Sequence, residues 1–245
     1  MKTILIGNGY WGKIIKPKLE ELTNLQTVIG SKENIDEILE NYEIDFAFIC
    51  TPTNTHYDLV KKCINKNINV FCEKPFTGDF NNAKKLYNLA KEKKVKIYVD
   101  NIFLERKEFE LIKPKEYKKI KFKWFKKEEI LKENIFNTLL YHDLYILLSI
   151  YDVNWKKINM DVTYDKLNLF LQFNELTADF EYDRCFDGGK IKKIYLDENQ
   201  IDFSSPLNDP LYEIISKLKN NQVNYNKNML ITLKTLELMN ELTNS

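Results

Sequence analysis

The sequence predicts an α/β protein: a shortened doubly wound parallel sheet over residues 1–100, then an α+β domain with a largely antiparallel open sheet over residues 101–245. Three observations predict it. Apolar runs alternate with amphipathic helical patterns through the first hundred residues. The turn Gly7-Asn8-Gly9-Tyr10-Trp11-Gly12 directly follows the first apolar run. Past residue 100 the pattern turns into long stretches of strict alternation, closed by two helical segments.

In chain order, Ile4 to Ile6 is a strand, and the glycine turn leads into a helix over residues 13–25. Ile14, Ile15, Leu19, Leu22 and Leu25 form its apolar face. Pro17 is tolerated only in a first turn, so this helix either starts late or kinks. Thr27 to Gly30 is a short strand, and Ser31 to Asn41 a helix with Ile35, Ile38 and Leu39 inward. Asp45 to Cys50 is continuously apolar after its first residue, as a central parallel strand should be. Leu59, Val60, Cys63 and Ile64 mark the next helix and Asn69 to Cys72 the next strand. Asp79 is placed to cap a helix over residues 80–91, with Ala83, Leu86, Leu89 and Ala90 inward. Val95 to Val99 completes the repeated β-α-β order.

In the second half, Phe103 to Lys113 reads as a helix. From Lys115 to Lys127 the residues Ile120, Phe122 and Trp124 face one way and lysines the other. Ile135 to Ile150 is an apolar helix interrupted by Tyr141-His142-Asp143. Asp161–Tyr164, Leu167–Phe173, Leu176–Tyr182 and Lys190–Leu196 alternate like the strands of a meander, with Asp187-Gly188-Gly189 turning between two of them. Pro210–Leu218 and Met229–Met239 are closing helices, free to pack back on the first domain.

Charge is balanced, with 37 Lys+Arg against 36 Asp+Glu, which gives no reason to expect nucleic acid or a membrane surface as partner. The apolar runs are too short to span a bilayer, and the first lacks a cleavage pattern, so a cytoplasmic place is expected. Cys50, Cys63, Cys72 and Cys185 form no C-x-x-C and the chain has 2 histidines, so buried free thiols are expected and no metal site.

In a doubly wound sheet the ligand lies beyond the C-terminal ends of the strands. That rule gathers the glycine turn, Thr51-Pro52, Glu73-Lys74-Pro75 and the turn after Val99 on one edge. Gly7, Gly9 and Gly12 permit a tight turn and close approach of a diphosphate at a helix N-terminus, with Asn8 in the turn and Tyr10 and Trp11 flanking it. Thr51, Pro52 and Asn54 either line a dinucleotide or merely start a helix. Lys74 is an ammonium at the ligand edge, able to donate to a hydroxyl or carbonyl, or else a surface lysine. Glu73 is placed to tune it. His142 is either an acid–base group or a satisfied core histidine, and His56 a cap or a cofactor neighbour. The lysines of 115–127 are either a phosphate-attracting row or a solvated sheet face.

The segments Gly7–Gly12, Asp45–His56 (DFAFICTPTNTH) and Asn69–Phe76 (NVFCEKPF) together resemble the glucose–fructose oxidoreductase/inositol dehydrogenase (Gfo/Idh/MocA) family. The resemblance implies a Rossmann-like domain binding NADP or NAD and hydride transfer at a sugar or nucleotide-linked sugar. It implies a homo-oligomer assembled through the second-domain sheet. It also implies that Lys74 and His142 act on the reacting oxygen, with the nicotinamide near Thr51, Pro52 and Glu73. A family member kept only as a nucleotide- or sugar-binding or partner protein is the alternative.

Two departures stand out. Where the family commonly has an aspartate four residues before the histidine, this chain has Thr138, which can hydrogen-bond but carries no charge. The resemblance also implies a further strand and helix between the first helix and Asp45, which would take roughly twenty more residues than stand there, so a strand is missing. Thr27–Gly30 is then either the strand that bears the ribose-binding acid or, more naturally, the one after it. Ser31 and Lys32 follow it instead of an acid, which leans the adenosine end toward NADP.

Overall fold

The computed structural model describes residues 1–112, 117–127 and 134–244. The chain forms two compact units, residues 1–102 with 211–237, and residues 103–210 with 238–245.

The first unit begins β1 (Lys2–Ile6), α1 (Tyr10–Leu22), β2 (Asn24–Ile29), α2 (Ile35–Asn41) and β3 (Phe46–Ile49). It continues α3 (Thr53–Asn65), β4 (Asn69–Cys72), α4 (Phe80–Lys93) and β5 (Ile97–Val99). The strands are parallel in the order β2-β1-β3-β4-β5. Both faces of the sheet are covered, so β3 and β4 are near-continuously apolar. Leu5, Phe46, Phe48, Phe71 and Tyr98 pack with Ile15 and Leu19 of α1 and with Leu211, Ile214, Ile215 and Leu218. The last four lie on α6 (Pro210–Lys219), which precedes α7 (Tyr225–Asn244). Asp79 caps α4, its Oδ1 accepting from the Asn82 N–H at 3.0 Å.

Three local readings change. The first helix starts at Tyr10 and carries Pro17 in its interior, while Leu25 belongs to β2. The second helix starts only at Ile35, because the Asn34 side chain accepts from the Asp36 N–H and ends the preceding loop there. β2 pairs directly with β1, so it stands where the acid-bearing strand stands. The absent strand is the one outside it, contrary to the more natural of the two sequence readings.

The second unit holds β6 (Lys119–Phe125), α5 (Tyr141–Ile150), β7 (Lys156–Val162), β8 (Lys166–Phe173), β9 (Leu176–Asp183), β10 (Ile191–Leu196) and β11 (Asn199–Asp202). The sheet order is β11-β10-β6-β9-β8-β7, antiparallel except for β6 with β9. β6 inserts between β9 and β10, so Asp187-Gly188-Gly189 lies in a crossover and not in a meander hairpin. Ile120, Phe122 and Trp124 are buried as their alternation predicts. The expected helix over 103–113 is instead two 3₁₀ segments, Ile102–Glu105 and Lys107–Leu111, with Lys113 outside the described residues, as is Lys115 of the lysine row. A π-helical turn over Phe136–Leu140 precedes α5, so the irregularity falls before Tyr141-His142-Asp143 and not on it.

Cys50, Cys63 and Cys72 are buried free thiols, but Cys185 is exposed. Among the described residues no helix is long and apolar enough to cross a membrane. None of their His, Cys, Asp and Glu side chains cluster as a metal site.

Candidate active site

The parallel register brings the C-terminal ends of β1 to β5 to one edge. A cavity of about 710 Å³ opens at the ends of β1, β2 and β3, lined in part by Gly7, Asn8, Gly9, Ser31, Thr51 and Pro52. The glycines are dictated by backbone contact. Gly7 has φ +106°, and a Cβ there would lie 2.4 Å from the Cys50 carbonyl oxygen. A Cβ on Gly12 would lie 2.0 Å from the Gly7 carbonyl oxygen, so the helix can approach the turn only if residue 12 is glycine. Nothing crowds a Cβ at Gly9, so its requirement comes from the approach of a ligand if at all. The result is a backbone cradle at the start of α1 that fits an anionic diphosphate.

The other residues expected to touch a cofactor separate. Tyr10 (76% exposed) and Trp11 (38%) sit in the first turn of α1, edge to face with each other at 5.5 Å. Asn54 is exposed in the first turn of α3, and Lys32 is exposed and outside the cavity lining. His56 is buried and ties two turns together. Its Nδ1 is 3.0 Å from the Pro75 carbonyl oxygen and its Nε2 2.8 Å from that of Thr51. It shapes the edge from beneath, with both ring nitrogens facing backbone carbonyls.

An acid does stand at the end of β2, and sequence reasoning missed it. Glu33 lines the cavity, and its Oε2 accepts from the Gly30 N–H at 2.7 Å. The available signal was Asn34. A helix cap there makes 30–34 a loop, and a loop can fold an acid back onto the strand end.

Further along the edge, Glu73 is buried after β4 and Lys74 half-buried beside it, joined to Pro75 by a cis peptide bond. Burial pushes the Glu73 carboxyl up to about 7, although the Lys74 charge and a hydrogen bond with Asp100 pull the other way. The Cys50 and Cys72 thiols are pushed well above the usual range, mainly by burial.

In the second unit, His142 lies in the first turn of α5, half-buried, edge-on to Phe103 with ring centres 4.8 Å apart and 5.9 Å from Trp124. Thr138 lies in the π-helical turn, and its hydroxyl donates to the Asn134 carbonyl at 3.0 Å. Beneath His142, Lys192 is 1% exposed, its Nζ 2.5 Å from Asp143 Oδ1 and 3.5 Å from the Trp124 ring centre. The Tyr182 hydroxyl donates to the other Asp143 oxygen at 3.0 Å. Burial lowers Lys192 to about 8 and raises Asp143, so desolvation outweighs the attraction within the pair. No local residue pattern announces this pair, whose members stand 49 positions apart.

Residues 12–101 match the oxidoreductase family with an NAD-binding Rossmann fold, Gfo/Idh/MocA. An uncharacterized oxidoreductase of Schizosaccharomyces pombe is 43% identical over 60 residues, a match spanning 24% of this chain and 16% of the relative. The fold is similar to UDP-N-acetylglucosamine 3-dehydrogenase GnnA from Acidithiobacillus ferrooxidans (TM-score 0.84, 16% identity, 98% of this chain and 96% of that one). It is also similar to the WlbA dehydrogenase from Thermus thermophilus, solved with NAD and UDP-GlcNAcA (TM-score 0.82, 13% identity, 98% and 94%). The glycine cradle and the sheet that presents it thus agree with the sequence match, by which residues 12–101 are similar to the NAD-binding Rossmann domain of Gfo/Idh/MocA oxidoreductases.

Proposed function

We propose that the protein is an NAD(P)-dependent oxidoreductase that moves a hydride to or from a hydroxyl-bearing or keto carbon of a sugar or nucleotide-linked sugar. The observation that carries this reading is the cavity at the ends of β1, β2 and β3, bordered by a tight turn in which Gly7 and Gly12 leave no room for a side chain against neighbouring backbone. Gly7, Asn8, Gly9 and the start of α1 hold the diphosphate, and Thr51 and Pro52 line the path toward Glu73 and Lys74. The bound nicotinamide supplies or accepts the hydride. The Lys74 ammonium donates to the reacting oxygen, and the family resemblance implies the role of acid or base for His142. Thr138, its hydroxyl engaged with backbone, supports the turn before α5. The substrate class rests on the family resemblance and on the printed activities of similarly folded proteins.

Between the two cofactors, Glu33 favours NAD. A carboxylate accepts hydrogen bonds from a ribose diol and repels a 2′-phosphate. A homo-oligomer through the second-unit sheet is supported by exposed apolar residues on and just after β7, Ile158 (55% exposed), Val162 (40%) and Tyr164 (67%). A cytoplasmic place completes the reading.

Fluorescence titration with NADH and NADPH tests it. NADH should bind at least about tenfold tighter than NADPH, and Glu33→Gln should narrow that gap. Lys74→Ala should abolish turnover while leaving NADH affinity within about twofold. No binding of either cofactor at millimolar concentration overturns the enzyme reading in favour of a non-catalytic binding protein.

A further inference from the structure

We propose that His56 is held as a doubly protonated imidazolium that joins the Thr51 and Pro75 carbonyls, and that its buried charge helps to seat an anionic dinucleotide at this edge, which makes it a positioning residue acting through Thr51. The second half rests on the cofactor reading, and the first half stands without it.

The protonation follows from what the ring meets. His56 lies in the first turn of α3 and is 1% exposed. Its Nδ1 is 3.0 Å from the Pro75 carbonyl oxygen and its Nε2 2.8 Å from the Thr51 carbonyl oxygen. A carbonyl oxygen can only accept. A neutral imidazole has one N–H, so it would satisfy one carbonyl and turn a bare lone pair on the other. An imidazolium has two and satisfies both. Burial and the positive end of the helix oppose the charge. Two charge-assisted hydrogen bonds favour it, and the neutral ring would also bury a lone pair against an acceptor. The second set prevails because the ring is closed off from the water that would relieve the mismatch.

The other groups around the ring leave that charge in place. His56 shares the buried face of α3 with Val60, Cys63 and Ile64, so the charged Asp58 and Lys61 lie on the outer side. Cys50 and Cys72, at the ends of β3 and β4, are neutral thiols pushed up mainly by burial, as is Cys63, to about 12. On α4, which packs against α3, Lys84 and Lys85 are exposed, as is the capping Asp79. Glu73 and Lys74, just before Pro75, carry opposite charges.

The cavity wall shows what the cation is for. Among its described lining residues only Glu33 is charged, and it is an anion. A diphosphate there meets backbone N–H groups and the start of α1, but no lysine or arginine of the lining. Thr51 is part of that lining, and the imidazolium sits directly behind it on the Thr51 carbonyl. A buried cation behind a low-dielectric wall is screened less than one in water, so it acts on the ligand through the wall.

Nitrogen-15 NMR of the full chain with labelled histidine tests the charge without turnover. The chain has 2 histidines, so the spectrum of His142→Gln assigns the His56 ring. At pH 7 both His56 nitrogens should carry a proton. One protonated and one bare nitrogen overturns the imidazolium. NADH titration by fluorescence tests the seating role. Ionisation of Glu73, near 7, would also oppose an anion, so the titration uses Glu73→Gln as background. There NADH affinity should fall roughly fivefold as pH rises through the loss of the His56 proton seen by NMR. Adding His56→Gln should produce the same loss at pH 7 and flatten the pH profile. A flat profile with His56 in place overturns the seating role. A doubly protonated ring in a chain that binds no NADH at millimolar concentration defeats the cofactor reading and leaves the clamp. NADH binding beside a neutral ring defeats the imidazolium alone.

Discussion

The two sheets bury ionisable groups in opposite ways. In the first unit they gather where parallel strands end: Glu73 and Asp100 are buried neighbours because β4 and β5 run in register. In the second unit a lysine enters the middle of an apolar face. Lys192 replaces a hydrophobic residue on the buried side of β10 and is met by Asp143 from α5 and the rings of Trp124 and Phe103. A second buried pair, Arg106 with Glu108 at 2.6 Å, lies in the same unit. The opposite face of that sheet is a solvated lattice of Lys119–Asp179, Lys121–Glu181 and Lys166–Asp183. Charge at a strand end can be held by backbone and open to a ligand. Charge within a face must be matched by a specific partner, as Asp143 matches Lys192.

The sharpest way to break this contrast is to remove one member of the matched pair. Lys192→Ala leaves Asp143 buried among aromatics and should lower unfolding free energy in urea by about 3–5 kcal/mol. Replacing both partners, with Lys192→Met and Asp143→Leu, should restore most of that loss. A single-variant loss below about 1 kcal/mol would mean that water reaches the pair. Next in size is the strand-end cradle. Gly12→Ala forces a methyl against the Gly7 carbonyl and should weaken NADH binding roughly a hundredfold, about 2.7 kcal/mol, in a fluorescence titration. Unchanged affinity would show that the turn can relax. The smallest effect belongs to the lattice. Lys121→Ala removes an exposed partner of Glu181 and should change stability by about 0–1 kcal/mol, less at high salt.

The same contrast decides what could be read from the residues. The first unit's order was legible because each parallel strand is an apolar run and each crossover helix has one apolar face. Asp45–Cys50 and Asn69–Cys72 needed no partner to be recognised. The glycine turn was legible because its requirement is steric and local. Glu33 was not, because its role depends on where the Asn34 cap ends a loop. The meander reading failed at Asp187-Gly188-Gly189 because alternation reveals that a strand exists and not which strand it pairs with, and β6 enters from sixty residues earlier. The Asp143–Lys192 pair spans 49 residues and has no local signature at either end. Asp143 drew notice only as the neighbour of His142.

A sheet that stops at β2 also has an open flank. That strand presents a row of backbone groups on its outer side, and Asn24 and Gln26 are its chief polar side chains, with Leu25, Val28 and Ile29 among them. Such a rim is a template for a foreign strand. What the chain saves in length on its nucleotide domain it must guard against in crowding, where strand addition is the hazard and every copy carries the same exposed seam.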